Sequence, residues 1–148
     1  MAGSEKTGME NADANLFEGN TCFITPFEET DSNAAKSVSD FWIGLGANVL
    51  QESPERHDAI VANVSHLPHL LASSLANYLS TALPTAAQFC GNGLKDTTRI
   101  ASGDPQMWRD IIVQNRPEII RSLDAFQNEI QSLRTISQTK TTSRSWES

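Results

Sequence analysis

Apolar side chains recur along most of this chain at the 3.6-residue spacing of an amphipathic helix, and the start and stop signals fall where that spacing breaks. Val38, Phe41, Trp42 and Leu45 predict a helix from Ser32 to the Gly44 and Gly46 region, where glycine ends it. Ser53-Pro54-Glu55 supplies a cap, a proline at the first helical position and an acid in the first turn. Ile60, Val64, Leu67, Leu71, Leu75 and Tyr78 then predict a long buried helix to about Ser80. Pro68 lies inside it and predicts a kink between Ser65 and Pro68. Leu83-Pro84 begins a short helix that Gly91 caps, and Gly91 to Arg99 reads as a loop. A short turn carrying Arg99 follows, capped by Asp96 or Thr97, and Asp104-Pro105 and Pro117 open two more helices. In the last, Ile119, Leu123, Phe126, Ile130 and Leu133 form a narrow heptad-like stripe, suited to packing against another helix.

Only Asn20 to Thr25, NTCFIT, reads as a strand, stopped by Pro26. One strand cannot make a sheet, so this run is an edge piece, an arm, or the remnant of a sheet whose other strands lie upstream. The Ser/Thr-rich end, SQTKTTSRSWES, predicts disorder over 137–148.

Composition narrows the function classes. A chain of 148 residues suffices for one compact domain burying roughly two thirds of its unfolded surface. No apolar run approaches the roughly 20 residues of a bilayer span, and MAGSEKTGMEN lacks the pattern of a secretory signal, so a soluble, cytoplasmic protein with no membrane partner is expected. The net charge of -7, with eleven scattered basic residues, argues against nucleic acid. Up to Asp40 eight carboxylates face two lysines, mostly a solvated acidic surface. Cys22 and Cys90 form no metal-binding spacing and read as two buried thiols.

Two stretches carry candidate chemistry. His66 and His69 meet on one helix face, but without an HExxH pattern or a third ligand a metal site is not expected; His69 with Ser65 lining a pocket is the alternative to a core histidine. In GNGLKDTTR, glycines, Lys95, Asp96 and Arg99 converge within nine residues. Such a loop is commonly a solvated turn; its functional reading is anion recognition, with the Arg99 guanidinium gripping a carboxylate through two parallel hydrogen bonds and Asp96 orienting a cation. It is no dinucleotide fingerprint, since Asp96 replaces the last glycine and no strand leads in, so no cofactor-binding residue is expected here.

AGSEKTG, LFEGNTCFITP, VSHLPHLLA, GNGLKDTTRIA and DPQMWRDI, in this order, resemble the prephenate dehydrogenases and the related arogenate dehydrogenases. The resemblance implies an all-α (mainly helical) dimerisation domain like the C-terminal domain of 6-phosphogluconate dehydrogenase, plus one N-terminal strand left over from a Rossmann sheet. The implied organisation is a nucleotide-binding remnant over 1–30, a helical substrate-binding and dimerisation domain over 31–136, and the tail. The implied activity is the NAD(P)-dependent oxidative decarboxylation of prephenate to 4-hydroxyphenylpyruvate (or of arogenate to tyrosine) in tyrosine biosynthesis, by a homodimer.

In the family a catalytic His precedes AGSE, so the resemblance places it before Met1 and implies a fragment that is inactive alone, with NAD or NADP bound only by the complete enzyme. It further implies that Arg99 grips a substrate carboxylate, that Lys95 and Asp96 support that site, and that Ser65 and His69 touch substrate. Ser4 and Glu5 would line the entrance, Trp108 would approach across the dimer interface, and tyrosine is a candidate further ligand. Asn92 and Leu94 depart from the Gly and aromatic residue more frequent in the family, and Lys95 often appears there as Arg. The alternative is a stand-alone helical dimer acting as a regulatory or aromatic-acid-binding module.

Overall fold

The computed structural model describes residues 8–138, so Ser4, Glu5 and most of the polar tail lie outside the described residues. The chain divides into two compact units, Met1–Val61 and Ala62–Ser148.

In the first unit, strand β1 (Thr21–Ile24), helix α1 (Ser32–Gly44) and strand β2 (Asn48–Gln51) form a β-α-β unit, followed by helix α2 (Pro54–Val61). The strands pair in parallel, Thr21 with Asn48 through Ile24 with Gln51, and parallel strands need such a crossover. β2 is the element that periodicity passes over: NVLQ is too short to show alternation, yet it gives β1 a partner, so the strand is not alone and the sheet extends past the expected boundary at residue 30. Asp31 caps α1, its carboxylate accepting from the Ala34 N–H at 2.8 Å. The chain leaves α1 through Gly46, whose φ of 84° favours glycine and where a Cβ would stand 3.3 Å from the Glu18 backbone. Trp42 fills the space between α1 and the sheet approach, edge-on to Phe17 at 5.1 Å. Ser53 caps α2 as its sequence predicts, accepting from the Arg56 N–H.

The second unit opens with a π turn (Ala62–His66) leading into helix α3 (Leu67–Ala82). The expected distortion is therefore a π turn, just before Pro68, whose missing N–H removes a donor to the preceding turn. A 3-10 turn (Ala86–Phe89) follows, then α4 (Asn92–Thr98), a second 3-10 turn (Arg99–Ser102), α5 (Pro105–Gln114) and α6 (Arg116–Gln138). Gly91 to Thr98 is thus not a loop: Gly91 stands at the N-cap of α4, a helix that its glycines disfavour, and the Thr97 and Thr98 hydroxyls bond back to the Gly93 and Leu94 carbonyls at 2.8 Å.

The stripe expected to be buried through α3 is only partly so. Val64 is 67% and Tyr78 66% exposed, while Ala62, Ala72 and Ile119 form the small apolar core of this unit. The buried polar residues there are His66, His69, Asn115 and Ser122. Cys22 and Cys90 are half-buried rather than buried. Among the described residues no helix is long and apolar enough to cross a membrane.

Candidate functional site

The π turn and the first turn of α3 present His66 and His69 toward α5, which presents Trp108. The His69 imidazole stacks flat on the Trp108 indole, centroids 3.5 Å apart and planes 6° from parallel. The His66 ring meets the same indole edge-on at 6.2 Å. Asp104 starts α5 as its sequence predicts, its Oδ1 accepting from the Met107 N–H at 2.7 Å, which fixes where Trp108 stands on the helix. Gly103, just before that cap, presses against the stack: a Cβ there would lie 2.9 Å from Trp108 Cδ1 and 3.1 Å from His69 Cε1.

His69 is buried, and Ser73 Oγ lies 3.4 Å from its Nε2. Burial holds its pKa below the ordinary 6.5, and a hydrogen bond with the Ile100 backbone opposes that shift. The imidazole is therefore neutral at pH 7, a hydrogen-bonding surface rather than a cation. Asn115 Nδ2 lies 3.3 Å from His66 Nδ1, across 49 residues of sequence.

The stack walls a cavity of about 490 Å³ that His69, Ser73, Asn77, Gly103, Trp108 and Arg109 line with apolar side chains of α5. A flat aromatic wall, a hydroxyl, an amide and a guanidinium together suit a small ring-bearing acid. Of the residues expected at a substrate site, the structure brings His69 and Trp108 together in this cavity. Lys95 lines a different one, of about 270 Å³, with Leu79, Leu83, Cys90 and Leu94. Ser65 is half-buried in the π turn, and Asp96 and Arg99 are exposed; none of the three lines either cavity. Arg99 is nonetheless close in chain to the stack, since the next residue, Ile100, hydrogen-bonds His69. Ser73, Gly103, Arg109 and Asn115 were not singled out from sequence. Ser73 is one helical turn beyond His69 and Asn115 two turns beyond Trp108, so spacing from the two rings could have found both.

Among the described residues no cluster of three His, Cys, Asp or Glu could hold a metal ion. Nor does the β-to-α turn before α1 suit a phosphate. The one β-to-α turn between paired strands carries Glu28, Glu29 and the capping Asp31 at the N-terminus of α1, where a phosphate would meet carboxylates instead of glycine N–H groups.

Family models match nearly the whole chain. The prephenate dehydrogenase nucleotide-binding domain matches residues 1–51, ending with β2, and the prephenate dehydrogenase dimerization domain matches residues 53–146. The chain is 37% identical to prephenate dehydrogenase of Bacillus subtilis over 91% of its own length and 37% of that protein's. It is 31% identical to cyclohexadienyl dehydrogenase of Zymomonas mobilis, over 91% of this chain and 47% of that one. The chain thus spans less than half the length of these curated relatives. Among solved structures it superposes on prephenate dehydrogenase of Aquifex aeolicus in complex with hydroxyphenyl propionate and NAD+ with a TM-score of 0.84, at 37% identity and over 92% of this chain and 49% of that one. On the arogenate dehydrogenase of Synechocystis the TM-score is 0.79, at 26% identity and over 91% and 50%. With a dimerization-domain match running from α2 past the end of α6 and a nucleotide-binding match over the β-α-β unit, the chain belongs to the prephenate dehydrogenase family.

Proposed function

We propose that this chain supplies the substrate-binding and dimer-forming helices of a prephenate or arogenate dehydrogenase, a homodimeric cytoplasmic enzyme of tyrosine biosynthesis. The reaction is the NAD(P)-dependent oxidative decarboxylation of prephenate to 4-hydroxyphenylpyruvate. The observation that carries this reading is the His69–Trp108 stack at the wall of a cavity able to hold a ring-bearing acid.

In this reading the chain's own task is positioning. The stacked rings fix the plane of the substrate ring, the neutral His69 with Ser73 orients a polar substituent, and Arg109 lines the same cavity. Arg99 stands outside that lining and would reach a carboxylate from the adjoining 3-10 turn, with Lys95, Asp96 and Ser65 in support as the resemblance implies. Ser4 and Glu5 belong to the entrance. The dinucleotide, NAD or NADP, supplies the hydride acceptor and is held outside residues 8–138. Tyrosine, carrying the same ring and acid, is a candidate competitor for the cavity.

Homodimerisation is supported by α6, where Ile119 is buried but Leu123, Ile130 and Leu133 of the same stripe stay exposed. The test is calorimetric titration of prephenate and of 4-hydroxyphenylpropionate into the full chain and into Arg99→Ala. Removing a bidentate carboxylate contact is expected to weaken binding about tenfold to a hundredfold. Binding that ignores the substitution removes Arg99 from the site, and no binding of either acid to the wild-type chain overturns the proposal.

A further inference from the structure

Trp108 and Asn115 lie seven residues apart, two turns along one face of α5 and its C-cap. His66 and His69 lie three apart on the segment they face. The two pairs meet rung by rung: His69 stacks on Trp108 at 3.5 Å, and the Asn115 amide meets His66 at 3.3 Å while His66 touches the indole edge. All but the indole are buried, and the indole is half-buried.

The lower rung lies away from the cavity, since neither Asn115 nor His66 lines it. From there an effect on a ligand passes through the rings. With its amide nitrogen toward His66 Nδ1, Asn115 donates and the imidazole accepts, which restrains the rotation of the His66 ring. That ring stands against the indole with planes 85° apart and centroids 6.2 Å apart. Asn115 also anchors the α5–α6 junction through its main chain, its N–H donating to the Ile111 carbonyl at 3.0 Å and its carbonyl accepting from the Ile119 N–H at 3.1 Å. The side-chain bond therefore ties the rotation of α5 about its own axis to the π turn. A π turn inserts an extra residue at a cost that is kept where it aims a side chain, and here it aims His66.

We infer that Asn115 is a positioning residue for the binding cavity: through His66 it holds the Trp108 indole flat against His69, setting the aromatic wall on which a ring-bearing acid would lie. The inference deepens the proposed function and rests on it for the ligand half of its test, while the other half needs no ligand.

The test uses the full chain with Trp42 and Trp146 changed to Phe, so that Trp108 alone emits. A protonated imidazole quenches a nearby indole, and His66 as well as His69 stands against Trp108, so the change of emission with pH reports the contact of these rings with the indole. In Asn115→Leu, which keeps volume and removes the donor, the quenching amplitude is expected to fall. The dissociation constant for 4-hydroxyphenylpropionate is expected to rise about fivefold to tenfold. Asn115→Asp keeps the shape but only accepts; the neutral His66 ring can meet it with the tautomer that carries its proton on Nδ1, so this variant is expected to keep the native quenching. A purely structural role would lower the melting temperature and leave both titrations in place, and that result overturns the inference. Should the Leu variant not fold, Asn115→Ser decides: its hydroxyl is too short to reach His66, and native quenching in that variant overturns the inference. If wild type shows the quenching titration but binds no acid, the proposed function fails and the positioning of the stack stands.

Discussion

Alanine at position 103 tests whether the stack is as tightly held as the geometry implies. Gly103 adopts φ -62° and ψ 155°, a conformation open to any residue, so backbone strain is not at issue. By itself, replacing such a glycine with alanine stabilises by about 0.4–1 kcal/mol, because the unfolded chain loses freedom. Against this, the new methyl would fall inside van der Waals contact of Trp108 Nε1 and Cδ1 and of His69 Cε1. These are atoms of two rings pinned against each other, not the tip of a flexible side chain. Overpacking of this kind costs about 1–3 kcal/mol, and parting the rings forfeits a share of the stacking, worth about 0.5–1.5 kcal/mol. The clash outweighs the entropy gain, so Gly103→Ala is expected to destabilise by about 1–2 kcal/mol, lowering the melting temperature of a unit this size by about 5–10 °C. Gly93→Ala is the control: it lies in α4 with no atom within 4 Å of the added carbon, so it is expected to stabilise by about 0.5–1 kcal/mol. The assay is thermal unfolding by circular dichroism, paired with Trp108 emission. A Gly103→Ala variant as stable as wild type with unchanged emission would refute the reasoning.

The remaining predictions follow from single contacts. Because burial lowers the His69 pKa below 6.5, the unfolded chain takes up a proton that the folded chain refuses; stability is fully present above about pH 6.5 and declines as pH falls through the folded value. Urea unfolding at pH 7.5 and 5.5 should show that loss, and His69→Gln should flatten it. Asp104→Ala removes the cap on the Met107 N–H and is expected to cost about 1 kcal/mol in the same assay, with Asp104→Ser recovering most of it. Arg99→Ala, at an exposed position, should leave the melting temperature within the small range of surface substitutions, about 0.5 kcal/mol, so that any loss of acid binding reports on the ligand alone.

What the sequence made legible was punctuation and family. Ser53 and Asp104 cap the helices their positions predict, because capping is a local exchange between one side chain and N–H groups two or three residues on. The resemblance carried by VSHLPHLLA and DPQMWRDI named His69 and Trp108 without showing that they touch. Their stacking depends on the π turn, on the absence of a side chain at Gly103 and on Asn115, none of which has a periodic signature. β2 escaped for a related reason: four residues of a parallel strand show no alternation, and only the pairing with β1 defines them. The GNGLKDTTR segment misled in the opposite direction, since its glycines weaken a helix that packing against α3 and the following turn supports.

The burial pattern of the second unit links the proposed dimerisation to the proposed substrate cavity. Its buried apolar residues are two alanines and one isoleucine, and among the described residues no large side chain is fully buried. Large apolar side chains stay outward, on Ile120, Leu123, Ile130 and Leu133 of α6 and on Val64 and Tyr78 of the π turn and α3. A second copy covering those residues would complete the core, and in doing so would stiffen the π turn and α3, the segments that carry His66 and His69. Under that arrangement the cavity wall is only as rigid as the dimer, so acid affinity should fall on dilution in step with dissociation. A Leu123→Glu/Ile130→Glu variant, held monomeric by charge, should bind 4-hydroxyphenylpropionate more weakly than wild type; equal affinity in a verified monomer would separate the cavity from the interface.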